Sequence, residues 1–249
     1  MHRNVPRRLP HLAVGAHHGP AEGACLMECV SVVAGEPWSD RPACTDPVLA
    51  AAARGANDAL PDEERQRLLP LVPRLASSAG SEPHTRRLAA WCLRQAAATV
   101  DPAWQGGVGA AAAVTARLLL GREVPAAAVD RARSCLRKMR LCSAPGKPAW
   151  LAGSAVGMLF DAVAGPGAAE ADRYRAMTAA AYHCALAARS PRTFLIRLLE
   201  FHESRTADRR SVPPYRNWRN ELAPLARLGP DVRASECTDW TIRRGNLPA

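Results

Sequence analysis

Large rings are scarce in this chain: aromatic residues make up 5% of its 249 positions, with three phenylalanines and three tyrosines. The hydrophobic share is nonetheless 48%, supplied largely by alanine. Alanine has the best helix propensity and is depleted from strands, so the scarcity points to helices that approach one another on small side chains. Lysine is almost missing as well, since only Lys138 and Lys147 accompany 31 arginines. That bias is what GC-rich coding produces, but the formal net charge of +10 acts physically whatever its origin. Such a field attracts nucleic acid, anionic lipid or acidic protein without choosing among them. Long apolar runs are also lacking. The opening MHRNVPRRLPHLAVGAHHGP has no apolar core of secretory length, and the best membrane candidate, 150–165, is interrupted by Gly153, Ser154, Gly157 and Asp161. A cytoplasmic location with no membrane partner is expected. The eight cysteines then read as irregularly spaced thiols rather than a disulfide framework.

What is present reads as an all-α, single multi-helix domain with Ala-rich helix packing. Residues 1–22 are expected to be a flexible N-terminal segment, 23–205 the helical domain, and 206–249 a looser, basic Arg/Pro-rich extension. Pro and Gly punctuate helices at about 24–34, 47–58, 85–100, 110–120, 126–141, 149–163, 170–189 and 191–204, with Pro70 and Pro73 breaking another that opens at Pro61. A further short helix is expected near 218–228. Core stripes at helical spacing are Val129, Ala132, Leu136 and Met139; Tyr174, Met177, Ala181 and Cys184; and Leu195, Leu198, Leu199 and His202. Trp91, Trp104 and Trp150 are expected to anchor the packing.

Chemistry concentrates between His17 and Pro47, where three cysteines and a run of acids interrupt a basic protein. On a helix, Cys25, Glu28 and Cys29 share one face. With Cys44 and the His17–His18 pair they offer soft and nitrogen donors for a tetrahedral zinc site, in which Cys25, Cys44, His17 and His18 would be the ligands. The C-x3-C-x14-C spacing lacks paired knuckles, and the plain alternative is that the thiols face the core. A second reading makes Cys25 a nucleophile near a helix N-terminus, with Glu28 or a histidine as base and Asp40 completing a carboxylate pair. His183 and His202 are candidates to be folded onto this segment as bases or ligands. Asp40 equally suits a turn cap or a partner for arginine.

The run from Gly23 to Asp58 resembles a motif in a group of uncharacterised actinobacterial proteins, of the form G-x-C-L-M-E, A-G-E, S-D-x-P-x-C and N-D. The matching residues are Gly23, Cys25 to Glu28, Ala34 to Glu36, Ser39, Asp40, Pro42, Cys44, Asn57 and Asp58. The resemblance implies a functional surface but brings no activity with it. Where the pattern has tyrosine this chain has Cys29, so it singles out Cys25 and Cys44.

Two functional classes follow. One is a small cytoplasmic enzyme or ligand-binding protein with a thiol, carboxylate or metal site at 17–47, acting on a small molecule or a protein. The other is a basic interaction protein. Its partner would be nucleic acid or an acidic protein, held by the arginines of 126–141 and by the RTADRRSVPPYRNWR tail, which interleaves cations with Tyr215 and Trp218.

Overall fold

The computed structural model describes residues 9–100, 102–142, 144–165 and 167–206. The basic extension from residue 207 onward, including Tyr215 and the helix expected near 218–228, lies outside the described residues, as do residues 1–8. The fold is all-α. Among the described residues there is no sheet, only two isolated parallel bridges, Leu12 with Ala24 and Thr45 with Ser78.

In chain order the helices are α1 (Leu26–Ala34), α2 (Pro47–Ala59), α3 (Asp62–Gln66), α4 (Val72–Leu75), α5 (Glu82–Ala97), α6 (Pro102–Leu119), α7 (Ala126–Cys142), α8 (Pro148–Ala164), α9 (Glu170–Ala187) and α10 (Pro191–Thr206). Their ends follow from local chemistry. Asp46 caps α2 by accepting from the Val48 N–H at 2.9 Å, and Pro47 fills the first turn, where a missing N–H costs nothing. Gly35 closes α1 in the left-handed conformation at φ 70°. Pro70 and Pro73 split the third block into α3, a 3-10 turn at Leu69–Leu71 and α4.

Two helix starts differ from the sequence reading. The fifth helix begins at Glu82 rather than near 85, and α6 begins at Pro102 rather than near 110. Gly106, Gly107 and Gly109 depress helix propensity in that stretch, yet Val108 is fully buried and Gly107 lies against the Cys135 thiol of α7. Tertiary packing outweighs the local preference.

Alanine does the packing that large rings cannot. Helix α2 buries Val48, Leu49 and the alanines from Ala50 to Ala53, together with Gly55 and Ala56, so it is apolar on nearly every side. At Gly55 the backbone of α9 comes so close that a Cβ would strike the Tyr182 carbonyl oxygen and stand 3.0 Å from the Ala185 Cβ. The three sequence stripes face the core, except that Tyr174 is 48% exposed and Val129 half-buried. Trp91 packs against Phe194 and Phe201, with ring centroids 5.5 and 6.0 Å away.

The lead-in expected to be flexible is tied down from Leu9 onward. Leu12 is completely buried, and the Ala13 N–H and Ala24 carbonyl pair at 2.8 Å while the Ala24 N–H reaches the His11 carbonyl at 3.0 Å. Gln66 of α3 clasps Leu12 through both its backbone groups, at 3.0 and 2.9 Å. Gly23, at φ 102°, permits this approach, since a side chain there would crowd the Ala13 Cβ at 3.1 Å.

Candidate functional site

Helix α1 starts with a capping box in which Cys25 plays the part usually taken by serine or threonine. The Glu28 N–H donates to Cys25 Sγ at 3.4 Å, and the Cys25 N–H donates to Glu28 Oε2 at 2.6 Å. Glu28 is 1% exposed and accepts two further bonds, from the His17 N–H at 2.6 Å and from His17 Nδ1 at 2.9 Å. A carboxylate can only accept, so Nδ1 carries the hydrogen and Nε2 is the basic nitrogen of the neutral ring. The imidazole is 10% exposed, and the His17 main chain is held as well by Trp38, whose indole N–H donates to the His17 carbonyl at 2.7 Å.

The loop after α1 is folded around a second carboxylate. Glu36 accepts from the Ala43 and Cys44 N–H groups at 2.7 and 2.8 Å, and Ser31 Oγ accepts from the Ser39 N–H at 3.2 Å. This brings Asp40 to Arg54 of α2. The guanidinium donates to the Asp40 carbonyl at 2.6 Å and lies 3.6 Å from its carboxylate. Burial pulls the Arg54 pKa down, and the Asp40 charge is the main influence opposing it. Asp58, one turn further along α2, accepts from the Gly15 N–H at 3.0 Å and from the Tyr182 hydroxyl of α9 at 2.9 Å. Burial, followed by the Asp58 charge, pushes the Tyr182 phenol up to about 12. Asn57 satisfies the start of α1, accepting from the Leu26 N–H at 3.2 Å while donating to the Ala13 carbonyl at 2.7 Å.

Several expectations change on this geometry. Cys25 is 1% exposed and serves as a cap; burial, and secondarily the Glu28 charge, drives its thiol far above the ordinary range, the opposite of an activated nucleophile. Cys29 and Cys44 are pushed up to about 12 and about 11, in both cases chiefly by burial. Among the described residues no three His, Cys, Asp or Glu side chains converge to hold a metal ion. Cys25, Cys44, His17 and His18 therefore do not assemble into a tetrahedral set, and zinc has no donor cage at these positions. His18 is exposed and uses its backbone N–H to reach Glu22 at 3.2 Å. Glu28 and Asp40 are each held by a partner within 17–58, Glu28 by His17 and Asp40 by Arg54.

His202 goes elsewhere. Its Nδ1 lies 2.8 Å from His84 Nε2 of α5, both rings being buried, and Thr85 beside them donates to the buried Asp46 carboxylate at 2.6 Å. His183 is half-buried, and its Nδ1 finds no hydrogen-bond partner among the described residues. Sequence reasoning missed Arg54, Trp38 and Tyr182 as members of the site. Trp38 and the Asn57–Asp58 pair stood inside or beside the motif, whereas nothing local flags Tyr182, which meets Asp58 across 124 positions. No helix among the described residues is long and apolar enough to cross a membrane. No family model matches the chain, and no curated protein or solved structure matches it with significance.

Proposed function

We propose that the chain is a small enzyme or ligand-binding protein whose working site lies in residues 17–47, with the His17 imidazole as the group that takes up and delivers a proton. Glu28 is its positioning residue. The observation that carries this reading is the 2.9 Å contact between His17 Nδ1 and a carboxylate that is 1% exposed. A carboxylate in that place fixes the ring's tautomer and leaves Nε2 as the atom that exchanges a proton with a bound molecule. Arg54 and Asp40, in the same stretch of chain and its following helix, add a partly exposed ion pair, a polar element able to orient a small polar ligand.

The test is a small-molecule screen followed by thermal stabilisation and by the imidazole proton resonances of His17. Compounds that bind the site are expected to move those resonances and to raise the melting temperature. His17→Gln should weaken the same compounds about tenfold or more, the usual scale for losing one positioned acid–base group. A screen in which every hit binds His17→Gln as well as the wild type would overturn the proposal.

A further inference from the structure

We propose that α7 is a docking face for the phosphate backbone of nucleic acid. The helix is seated on α6 and α8 by Ala132, Leu136 and Met139, which are buried, flanked by the half-buried Val129 and Cys135, and its opposite side faces water. That solvent arc carries Arg131, Arg133, Arg137, Lys138 and Arg140, all exposed, against one acid, Asp130. Two of the five cations are committed: Arg133 pairs with Asp130 at 2.9 Å and lies over the Phe160 ring, and Arg140 pairs with Asp161 at 3.0 Å. Arg131, Arg137 and Lys138 make no ion pair or hydrogen bond among the described residues.

A general excess of arginine does not produce this concentration. In α9 two arginines are accompanied by Glu170 and Asp172, and Arg175 pairs with Asp172; in α10 three arginines accompany Glu200 and Glu203. The helix dipole favours cations in the last turn, which covers Arg140, but Arg131 stands in the second turn, where the dipole offers nothing. Arg131 and Lys138 are seven positions apart on one side of the helix, a rise of about 10 Å, or about three nucleotides along one strand.

Charge complementarity calls for an anionic partner, and what accompanies the cations selects which one. Stable seating on a lipid surface takes a free apolar face beside the basic patch, and the apolar face of α7 is used by the core. A protein partner needs a desolvated apolar or aromatic centre, and the exposed arc holds no aromatic residue and one large hydrophobe, Leu141. A phosphate backbone needs only positioned cations.

The test uses the full chain with short labelled single-stranded and duplex DNA, followed by fluorescence anisotropy between about 50 and 200 mM salt. Replacing Arg131, Arg137 and Lys138 together by Gln is expected to weaken binding about tenfold or more and to make the log–log salt slope shallower by about two to three. None of the three side chains holds the fold, so the melting temperature should not move. If the triple variant does not fold, Arg131→Gln and Lys138→Gln tested singly should each remove about one unit of slope. Unchanged affinity and slope would overturn the proposal. So would wild-type protein that ignores DNA at about 50 mM salt, protein that prefers polyglutamate or anionic vesicles to DNA, or binding abolished by Arg216→Gln with Arg219→Gln but indifferent to the α7 changes.

Discussion

Glu28 is the residue on which the N-terminal network turns, because one buried carboxylate satisfies the backbone N–H groups of His17 and Cys25 and the His17 ring. Each buried donor left without an acceptor costs about 1–3 kcal/mol. Glu28→Ala should therefore lower the unfolding free energy by about 3 kcal/mol or more in urea, and Glu28→Gln, which keeps one acceptor, by less. A loss below about 1 kcal/mol for the alanine variant would mean that the network is not formed in solution. The buried histidine pair predicts a pH dependence with a definite sign. Burial, reinforced by the charge of His84, lowers the His202 pKa from 6.5 to about 4. The unfolded chain then takes up its proton first as acid is added, so stability is lost as the pH falls from 6.5 towards 4, by about 3 kcal/mol. Asp46 works in the other direction. Burial raises its pKa, so its contribution is present at low pH and declines as the pH rises through its folded value. His202→Gln should flatten the acid limb measured by denaturant unfolding at several pH values, and a limb identical to wild type would assign the sensitivity elsewhere.

Two glycines in different helices test how closely the elements pack. An alanine in place of glycine normally favours a helix by about 1 kcal/mol. At Gly55 the new methyl would meet the Tyr182 carbonyl, a backbone atom that cannot rotate away, and overpacking of that kind costs about 1–3 kcal/mol. Gly55→Ala should thus destabilise by about 1–2 kcal/mol, whereas Gly106→Ala, whose Cβ would meet open space, should stabilise by about 0.5–1 kcal/mol, both read from thermal or urea unfolding. Equal effects at the two sites would contradict the close approach of α2 and α9. At this scale the sequence was informative wherever apolar periodicity was strong, as in the Leu195, Leu198, Leu199 and His202 stripe, all of which is buried. It was misleading at α6, where glycine propensity hides a start that only the neighbouring helices impose. The chain's local pattern also announced a polar centre near 17–47, but it could not say that Cys25 caps a helix rather than reacts, because that depends on burial.

At the scale of the whole chain, residues 9–25 belong to the folded unit, and their contacts run to residues 43 to 55 positions away. No periodicity marks such a segment, which is why it read as a loose lead-in. Removing residues 1–22 should accordingly cost about 3 kcal/mol or more: about 2 from uncovering the site of Leu12, and the rest from the hydrogen bonds of Gly15 and His17. A truncated chain with wild-type urea stability would restore the loose reading. The backbone bonds of Ala24 to His11 and Ala13 have a bearing on recognition as well. They stitch the two ends of the stretch carrying His17 into a short closed ring, so the imidazole is already confined before any ligand arrives. Ordering entropy is settled during folding, and a bound molecule has little chain left to organise. The amide protons of Ala13 and Ala24 should exchange with solvent at nearly the same rate with or without a ligand, as in a site that receives its guest without closing over it.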